Sequence, residues 1–539
     1  MRGSRSRSAS RVTKATSSRS AAASRALQRS TRRRTMASSR RWTRSSKAPS
    51  VALIAALAFE AGCAAHSAPR TRGPRAVRQL AADLSPIFDA PPMAQGLWGV
   101  EIRSLDSGEV LYALNPHKLM MPASNMKLVT LAAAAETLGW DYRFTTAIET
   151  AAPIENGVLE GDLIVRGTGD PTINRRDARS AAVLDEWAAA LKNAGIARID
   201  GRIIGDDNAF DDQVLGAGWS WDYLQYGYAA PVGALEFDED NATLSVRPGP
   251  KEGDAAVVEL TPGSGLAIVN RAFTGAAQSA DTIEYSRRLD RAVLEITGSI
   301  AADAQPVARE VAVVNPTVYF AQALKDGLAA RGIPVNGDAA DVDDVAGGPD
   351  QASRRTLATS TSPPLSEIAI VLMKVSQNLY AETLLKAVGA AKSGLGTTEG
   401  GRLAARALMT SWGVPERGYV QADGSGLSRY DYVTADMLVT ILSRMAKDPR
   451  HHDAFLATLP VAGKDGTIAS RMKGTRAEAN ATAKTGSIAN VRSLSGYVRT
   501  RDGETLVFSI LANAFSIPSA TVNWMADLAV ETLANFTRK

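Results

Sequence analysis

Apolar residues along the 539-residue chain follow a helical period in two blocks and the two-residue period of strands between them. "RAVRQLAADLSPIF" reads as a short amphipathic helix, at the end of a Pro/Arg/Ala-rich linker over 64–80. "LWGVEIRSLDSGEVLYALN" alternates apolar and polar positions around Asp106-Ser107-Gly108, which predicts a β-hairpin. "LVTLAAAAETLGW" predicts a buried helix that stops near Gly139. From about residue 142 the texture changes. "RFTTAIET", "GVLEGDLIVRG", "RIDGRIIGDD", "ATLSVRPG", "AAVVELTPG", "TIEYSRR" and "AVLEITGSI" are short strands between Gly, Asp and Pro turns. One helix, "AAVLDEWAAALKNAG", interrupts them. "NPTVYFAQALKDGLAARGI" returns to helix, and Gly347 to Pro364 reads as a polar linker.

The last part is mostly helical: "LSEIAIVLMKVSQ", "NLYAETLLKAVGAA", "GRLAARALMTSWG" and "TADMLVTILSRMA". It closes with "SLSGYVRTRDGETLVFSILANAF", two strands about Arg501-Asp502-Gly503, and a helix from Pro518. The early hairpin can complete one sheet with this closing pair. The expected fold is therefore α+β: an antiparallel sheet flanked by helices, its parts separated by a large, mainly β insert of one to two domains.

Charge changes the picture of the first sixty residues. The formal net charge is +5, but residues 1–62 hold fifteen Lys and Arg and a single acid, Glu60. The remainder has 46 bases against 55 acids, a net of −9. An acidic folded part argues against nucleic acid as a partner. The Arg/Ser-rich start cannot build a core. From Met36 the pattern is a basic region, an apolar stretch from Val51 to Phe59 and small residues, which is a secretory signal. Translation from Met36 would leave 1–35 outside the protein, and a basic nucleic-acid-binding tail is the alternative reading. The expected location is outside the cytoplasm, periplasmic or membrane-anchored.

Cys63 is the only cysteine, so no internal disulfide can form. The four histidines, His66, His117, His451 and His452, lack metal-ligand spacing, so neither a metal nor a histidine-based hydrolase is expected.

Candidate chemistry lies in three strings. "MPASNMKLVT" puts Ser124 and Lys127 at i and i+3 on one helical face, just after Pro122. Near the helix start the backbone N–H of Ser124 is free and the dipole favours a developing oxyanion. A buried Lys127 would have its ammonium disfavoured and could act as a base at neutral pH. The plain reading of the pair is a helix cap and a lysine that snorkels to water. "MKVSQNLYAE" puts Ser376 and Asn378 at a break between helices, where a cap is the ordinary reading. "ATAKTGSIAN" puts Lys484, Thr485 and Gly486 at a strand, where a lysine ordinarily protects an edge.

In this order the strings are the Ser-x-x-Lys, Ser-x-Asn and Lys-Thr-Gly set of penicillin-binding proteins and β-lactamases, with Gln377 at the variable middle position. The chain further resembles the D-alanyl-D-alanine carboxypeptidase/endopeptidase family, the low-molecular-mass class C penicillin-binding proteins, from about Leu97 onward. The resemblance is carried by "MPASNMKLVTLAAA", "GDLIVRGTGDPT", "GAGWSWDYLQYGYAAPVGAL", "SQNLYAETLL", "ADGSGLSRYDYVT", "LPVAGKDGTI" and "AKTGS". "FEAGC" looks like a lipoprotein cleavage box with Glu60 where an apolar residue is usual, so Cys63 is a candidate lipid anchor beside simple cleavage near Ala65.

The resemblance implies a leader over 1–63, a catalytic domain of 86–141 plus 365–539, an inserted domain of 142–238 plus 310–364, and a further β domain of 239–309. It implies that Ser124 attacks the carbonyl between two D-alanines and that Lys127 takes its proton. Ser376, held by Asn378 and the lysines, relays a proton to the leaving group. Lys484 and Thr485 hold the terminal carboxylate, and Lys484 helps keep Lys127 neutral. The N–H groups of Ser124 and Ser487 form the oxyanion hole, worth about 3 kcal/mol per donor in comparable hydrolases. Gly486 belongs to the same substrate-binding strand. No cofactor is implied. Peptidoglycan stem peptides are the implied substrates, and β-lactams the inhibitors.

In this family an Asp, an aromatic, an Arg and a polar residue contact the diaminopimelate side chain. Tyr228 and Arg429 match two of these. The Asp falls on Tyr223, with Asp222 one residue early, and the polar position falls on Ala489. A β-lactamase or D-amino-acid esterase on the same scaffold, or a silent wall-binding protein, are the competing expectations.

Overall fold

The computed structural model describes residues 75–288, 290–346 and 351–539. The leader, including the Met36 start and Cys63, lies outside the described residues.

The fold is α+β. Its central sheet is built from β1 (Leu97–Ser104) and β2 (Val110–Leu114) at one end of the chain and β3 (Thr482–Ile488), β4 (Val491–Arg499) and β5 (Thr505–Asn513) at the other. The order is β3-β4-β5-β1-β2, and all pairings are antiparallel. The early hairpin thus joins the closing pair as its pattern predicts, through eight paired positions from Leu97–Asn513 to Ser104–Leu506.

Strand β5 shows why. Leu506, Phe508 and Ile510 point to one core, while Val507 and Leu511 point to the other. A run that is apolar on both faces, broken only by the buried Ser509, suits a strand buried on both sides. One face is covered by α1 (Arg75–Phe88) and a C-terminal helix (Ser519–Asn535), through Leu80, Leu84, Phe88, Val522, Ala529 and Val530. The predicted helix over "RAVRQLAADLSPIF" forms for this reason.

The other face carries α2 (Met126–Leu138), α3 (Leu365–Lys374), α4 (Asn378–Ser393), α5 (Thr398–Ser411) and α6 (Ala435–Lys447). Helix α2 is the pillar: every residue from Met126 to Ala135 is buried, Lys127 included. A helix apolar all round belongs inside, and its small alanines let neighbouring helices approach.

Between α2 and α3 the chain leaves for more than two hundred residues. Exit and return run side by side, with Leu365 N bonded to Tyr142 O at 2.8 Å and Ser366 N to Trp140 O at 3.0 Å. An insertion whose ends meet perturbs its host little. One part of the insert is a five-stranded mixed sheet with the helices Arg179–Asn193 and Pro316–Ala330 packed on it through Trp187, Leu191, Phe320 and Leu324. The other is all β, around Leu244, Val246, Leu294, Ile296 and Ile300.

One sequence expectation is corrected. Part of the supposed linker before Pro364 is a strand, Arg355–Thr361, paired antiparallel with Thr145–Thr150. It is an edge strand with one mostly exposed face, so its Thr and Ser content hid it from a hydropathy reading.

Candidate active site

Ser124 sits in a single 3-10 turn, Ala123–Asn125, that leads directly into α2. Ala123 is left-handed at φ 46°, and the turn is tied to the sheet, since Ser493 Oγ donates to Pro122 O at 2.7 Å and Asn125 Nδ2 to Lys484 O at 3.1 Å. One helical turn later the amine of Lys127 is 3.0 Å from Ser124 Oγ, 2.6 Å from Asn378 Oδ1 and 2.8 Å from the Ser425 carbonyl. Lys127 is fully buried, so it does not snorkel.

Burial pushes the Lys127 amine down to about 7, against the opposing pull of Asp423, Glu382 and Asp431. At neutral pH a large share is the free base, which a proton acceptor must be. Lys484 is itself held well below the usual lysine range, by burial first and by the Lys127 charge second. The two buried amines therefore disfavour each other's charge.

Ser376 lies in the three-residue gap between α3 and α4 and is left-handed at φ 68°. Its hydroxyl is 2.7 Å from Lys484 Nζ, which also donates to Thr485 O at 2.9 Å. Gln377 caps α4: its Oε1 accepts from Leu379 N at 3.0 Å, and its amide donates to Glu239 of the insert at 2.6 Å. Asn378 bridges in the same way, accepting from Lys127 and donating to Tyr228 O at 2.7 Å.

These groups open onto a cavity of about 420 Å³ whose wall includes Ser124, Ser376, Asn378, Thr485 and Ser487. Residues from all three strings therefore face one space. Strand β3 is the sheet edge, and Gly486 lets it approach. A Cβ there would lie 2.1 Å from Ser493 Oγ, 2.5 Å from Pro122 O and 2.9 Å from Ser124 N. Two of those atoms are backbone, so Gly486→Ala is expected to push β3 off the nucleophile's turn. Acylation by a fluorescent penicillin should slow at least about tenfold, with a Tm loss of several degrees, from an overpacking penalty of about 1–3 kcal/mol. Stopped-flow labelling and calorimetry check both.

The residues expected to read the side chain divide. Tyr223, Tyr228 and Ala489 line the cavity. Asp222 does not stand in for an inward-facing acid: its side chain is exposed, on the turn Trp221–Tyr223. Arg429 is half-buried and reaches the Ala489 carbonyl at 3.4 Å. The apolar Leu427 and Ile488 complete that end.

Two participants carry no signal in residue type. Thr467 bonds Thr485 hydroxyl to hydroxyl at 2.7 Å and lines the cavity. Ser425 contributes only its carbonyl to Lys127. Their strings, "KDGTI" and "DGSGL", are part of the family pattern, but nothing in their spacing assigns a role.

Folding also brings Glu136, Asp448 and His451 within ligand distance of one another, which spacing did not foretell. Both carboxylates and one ring nitrogen already have hydrogen-bond partners, while His451 Nε2 has none among the described residues. Trp140 Nε1 donates to His451 Nδ1 at 3.1 Å, which leaves the ring proton on Nε2, 3.3 Å from Glu136 Oε1. Arg450 bridges Glu136 and Asp448. A metal would need that same Nε2 unprotonated, so the set does not suit one.

The arrangement has relatives. The D-Ala-D-Ala carboxypeptidase 3 (S13) family profile matches residues 80–533. A D-alanyl-D-alanine carboxypeptidase of Actinomadura sp. (strain R39) is 37% identical over 455 residues, 82% of this chain and 82% of that protein. The crystal structure of penicillin binding protein 4 (dacB) from Haemophilus influenzae superposes with a TM-score of 0.71 at 25% identity, covering 85% of this chain and 99% of that one. That protein has also been crystallised with a β-lactam, a structure that superposes with a TM-score of 0.67, again at 25% identity over 85% of this chain and 99% of that one.

Proposed function

The chain belongs to the D-Ala-D-Ala carboxypeptidase 3 (S13) family, and on that premise we propose how its residues cleave the terminal D-alanine from peptidoglycan stem peptides. Ser124 Oγ attacks the carbonyl carbon between the two D-alanines while its proton passes to Lys127. The N–H groups of Ser124 and Ser487 receive the oxyanion. The amide then breaks, the leaving amine takes a proton through Ser376, and D-alanine departs from a Ser124 ester that water hydrolyses. A β-lactam acylates Ser124 by the same first step. A D-Ala amide to a second stem peptide is chemically the same bond, so cross-link cleavage needs no further machinery.

The 3.0 Å approach of the buried Lys127 amine to Ser124 Oγ supports this reading most directly. The two lysines fit it in sequence. Burial and the Lys127 charge disfavour the ammonium of Lys484, and an arriving carboxylate favours it. Once charged, Lys484 disfavours the ammonium of Lys127, so substrate binding itself sharpens the base.

The domain limits 86–141 plus 365–539, 142–238 plus 310–364 and 239–309 remain our reading of the chain's organisation. Export by the leader is part of the same proposal, with Cys63 as its candidate anchor. Among the described residues no helix is long and apolar enough to cross a membrane.

The test is a pentapeptide ending in D-Ala-D-Ala, with released D-alanine measured by mass. Blocking the carboxylate as an amide should lower kcat/KM about 10- to 100-fold, the worth of a charge-assisted pair at Lys484 and Thr485. Equal turnover of acid and amide would overturn the assignment of those two residues. Turnover of neither would overturn the activity.

A further inference from the structure

We propose that Glu382 is a positioning residue for Lys127: it clamps the Gly424–Ser425 backbone so that the Ser425 carbonyl faces the catalytic amine. This rests on the reading of Lys127 as the base and goes beyond the three catalytic strings.

Of the three oxygens around the Lys127 amine, two belong to those strings and the third to a loop. The loop's shape is imposed from inside. Glu382 accepts from Gly424 N on one carboxylate oxygen and from Ser425 N on the other, both at 2.8 Å. These are consecutive amides immediately before the carbonyl that meets Lys127. Asp423 accepts from Gly426 N at 2.7 Å, Ser428 N at 2.8 Å and the Trp219 indole at 2.8 Å. Asp431 accepts from Ala422 N at 2.6 Å. All three acids are buried, at 4%, 0% and 0% exposure, and a surface loop does not require that.

Helix geometry links the clamp to the site. Asn378 and Glu382 are one turn apart on α4 and share a face. That face touches the amine directly through Asn378 and indirectly through the loop. There is no slack between: a Cβ on Gly424 would lie 2.5 Å from Ala381 O, and one on Gly426, at φ 82°, 1.8 Å from Ala123 O. The loop is wedged between the backbones of α4 and the nucleophile's turn, so a change at Glu382 must reach Ser425.

The charged groups facing Lys127 are Glu382 from α4, Asp423 and Asp431 from the loop, and Lys484 from β3. The three carboxyl groups favour the ammonium and oppose burial. Removing one should let Lys127 lose its proton at lower pH. The carboxyl of Glu382 is itself pushed up to about 8, by burial first and the Asp423 charge second, so its pull on Lys127 grows as pH rises toward that value.

The experiment measures the second-order rate of acylation by a fluorescent penicillin from pH 5 to 9. Wild type should rise with pH through about 7. Glu382→Gln keeps the shape but turns one amide group toward a backbone N–H. Its acid limb should move down by at least about half a pH unit and its plateau fall about tenfold, equal to about 1.4 kcal/mol. Glu382→Asp keeps the charge but shortens the reach. Its limb should stay while its plateau falls, a split that a merely structural role would not give. Asp431→Asn should move the limb in the same direction as Glu382→Gln, and Glu382→Asp decides the matter should Glu382→Gln fail to fold. A folded Glu382→Gln or Glu382→Asp whose plateau stays put would overturn the proposal while leaving Lys127 as the base. A wild type that is not acylated at all would overturn both.

Discussion

Ser124→Ala is expected to stay folded and to lose all covalent labelling by a fluorescent penicillin, with D-alanine release down by at least about 10⁴-fold. Fold and chemistry separate here because the hydroxyl holds little structure. Ser124 is half-buried at the mouth of the cavity, its turn is secured by Ser493 and Asn125 through the backbone, and Lys127 keeps Asn378 and Ser425 as partners. Loss of one modest hydrogen bond changes stability by about 1 kcal/mol. The covalent intermediate has no substitute. Ser376 is engaged with Lys484 rather than Lys127, and Lys484 is the amine given over to the substrate carboxylate. Intact-mass spectrometry of the penicillin-treated variant reads the result. A penicilloyl adduct at wild-type rate would remove Ser124 from its role, and an adduct mapped to Ser376 would exchange the two serines.

Sequence revealed the groups that act through their side chains. Ser124, Lys127, Ser376, Asn378 and Lys484 are each a distinctive residue in a distinctive string, and the structure draws them around one cavity. What stayed hidden acts through the backbone or at long range. Ser425 offers a carbonyl, which every residue carries, and it meets Lys127 across 298 positions of chain. Glu382 and Asp423 are ordinary acids on paper, and only their burial beneath consecutive amides sets them apart. Thr467 and Thr485 are ordinary threonines until the strand edge brings them together. The same limit explains the missed strand at Arg355–Thr361, whose pairing partner lies some two hundred residues earlier. It also explains Asp222, where spacing along the chain could not say that the short 3-10 turn exposes this residue and turns Tyr223 inward.

Lys127→Met is expected to remove catalysis by another route, lowering kcat/KM for the pentapeptide about 10³- to 10⁴-fold, the range of a positioned general base. Methionine nearly fills the space, so the loss is chemical rather than a cavity effect. Raising the pH should not restore the rate, because the serine hydroxyl has no other group of suitable pKa beside it. Stability separates this variant from Ser124→Ala. Asn378 Oδ1 and Ser425 O each lose a buried donor, at about 1–3 kcal/mol apiece, and Glu382, Asp423 and Asp431 lose a nearby cation. Against this, the penalty for burying an amine is gone. That penalty has a pH signature. The folded amine titrates near 7 and the unfolded one in the ordinary lysine range, so between those values the unfolded chain holds more protons. Wild-type stability should therefore rise with pH across that window through this group, and the penalty is fully present below it. Lys127→Met should show a shallower rise from pH 7 to 10 in denaturant melts, with its disadvantage against wild type largest at high pH. If the two slopes coincide while the activity is lost, the amine at 127 is not held near neutrality, and its assignment as the proton acceptor fails even though the residue is essential.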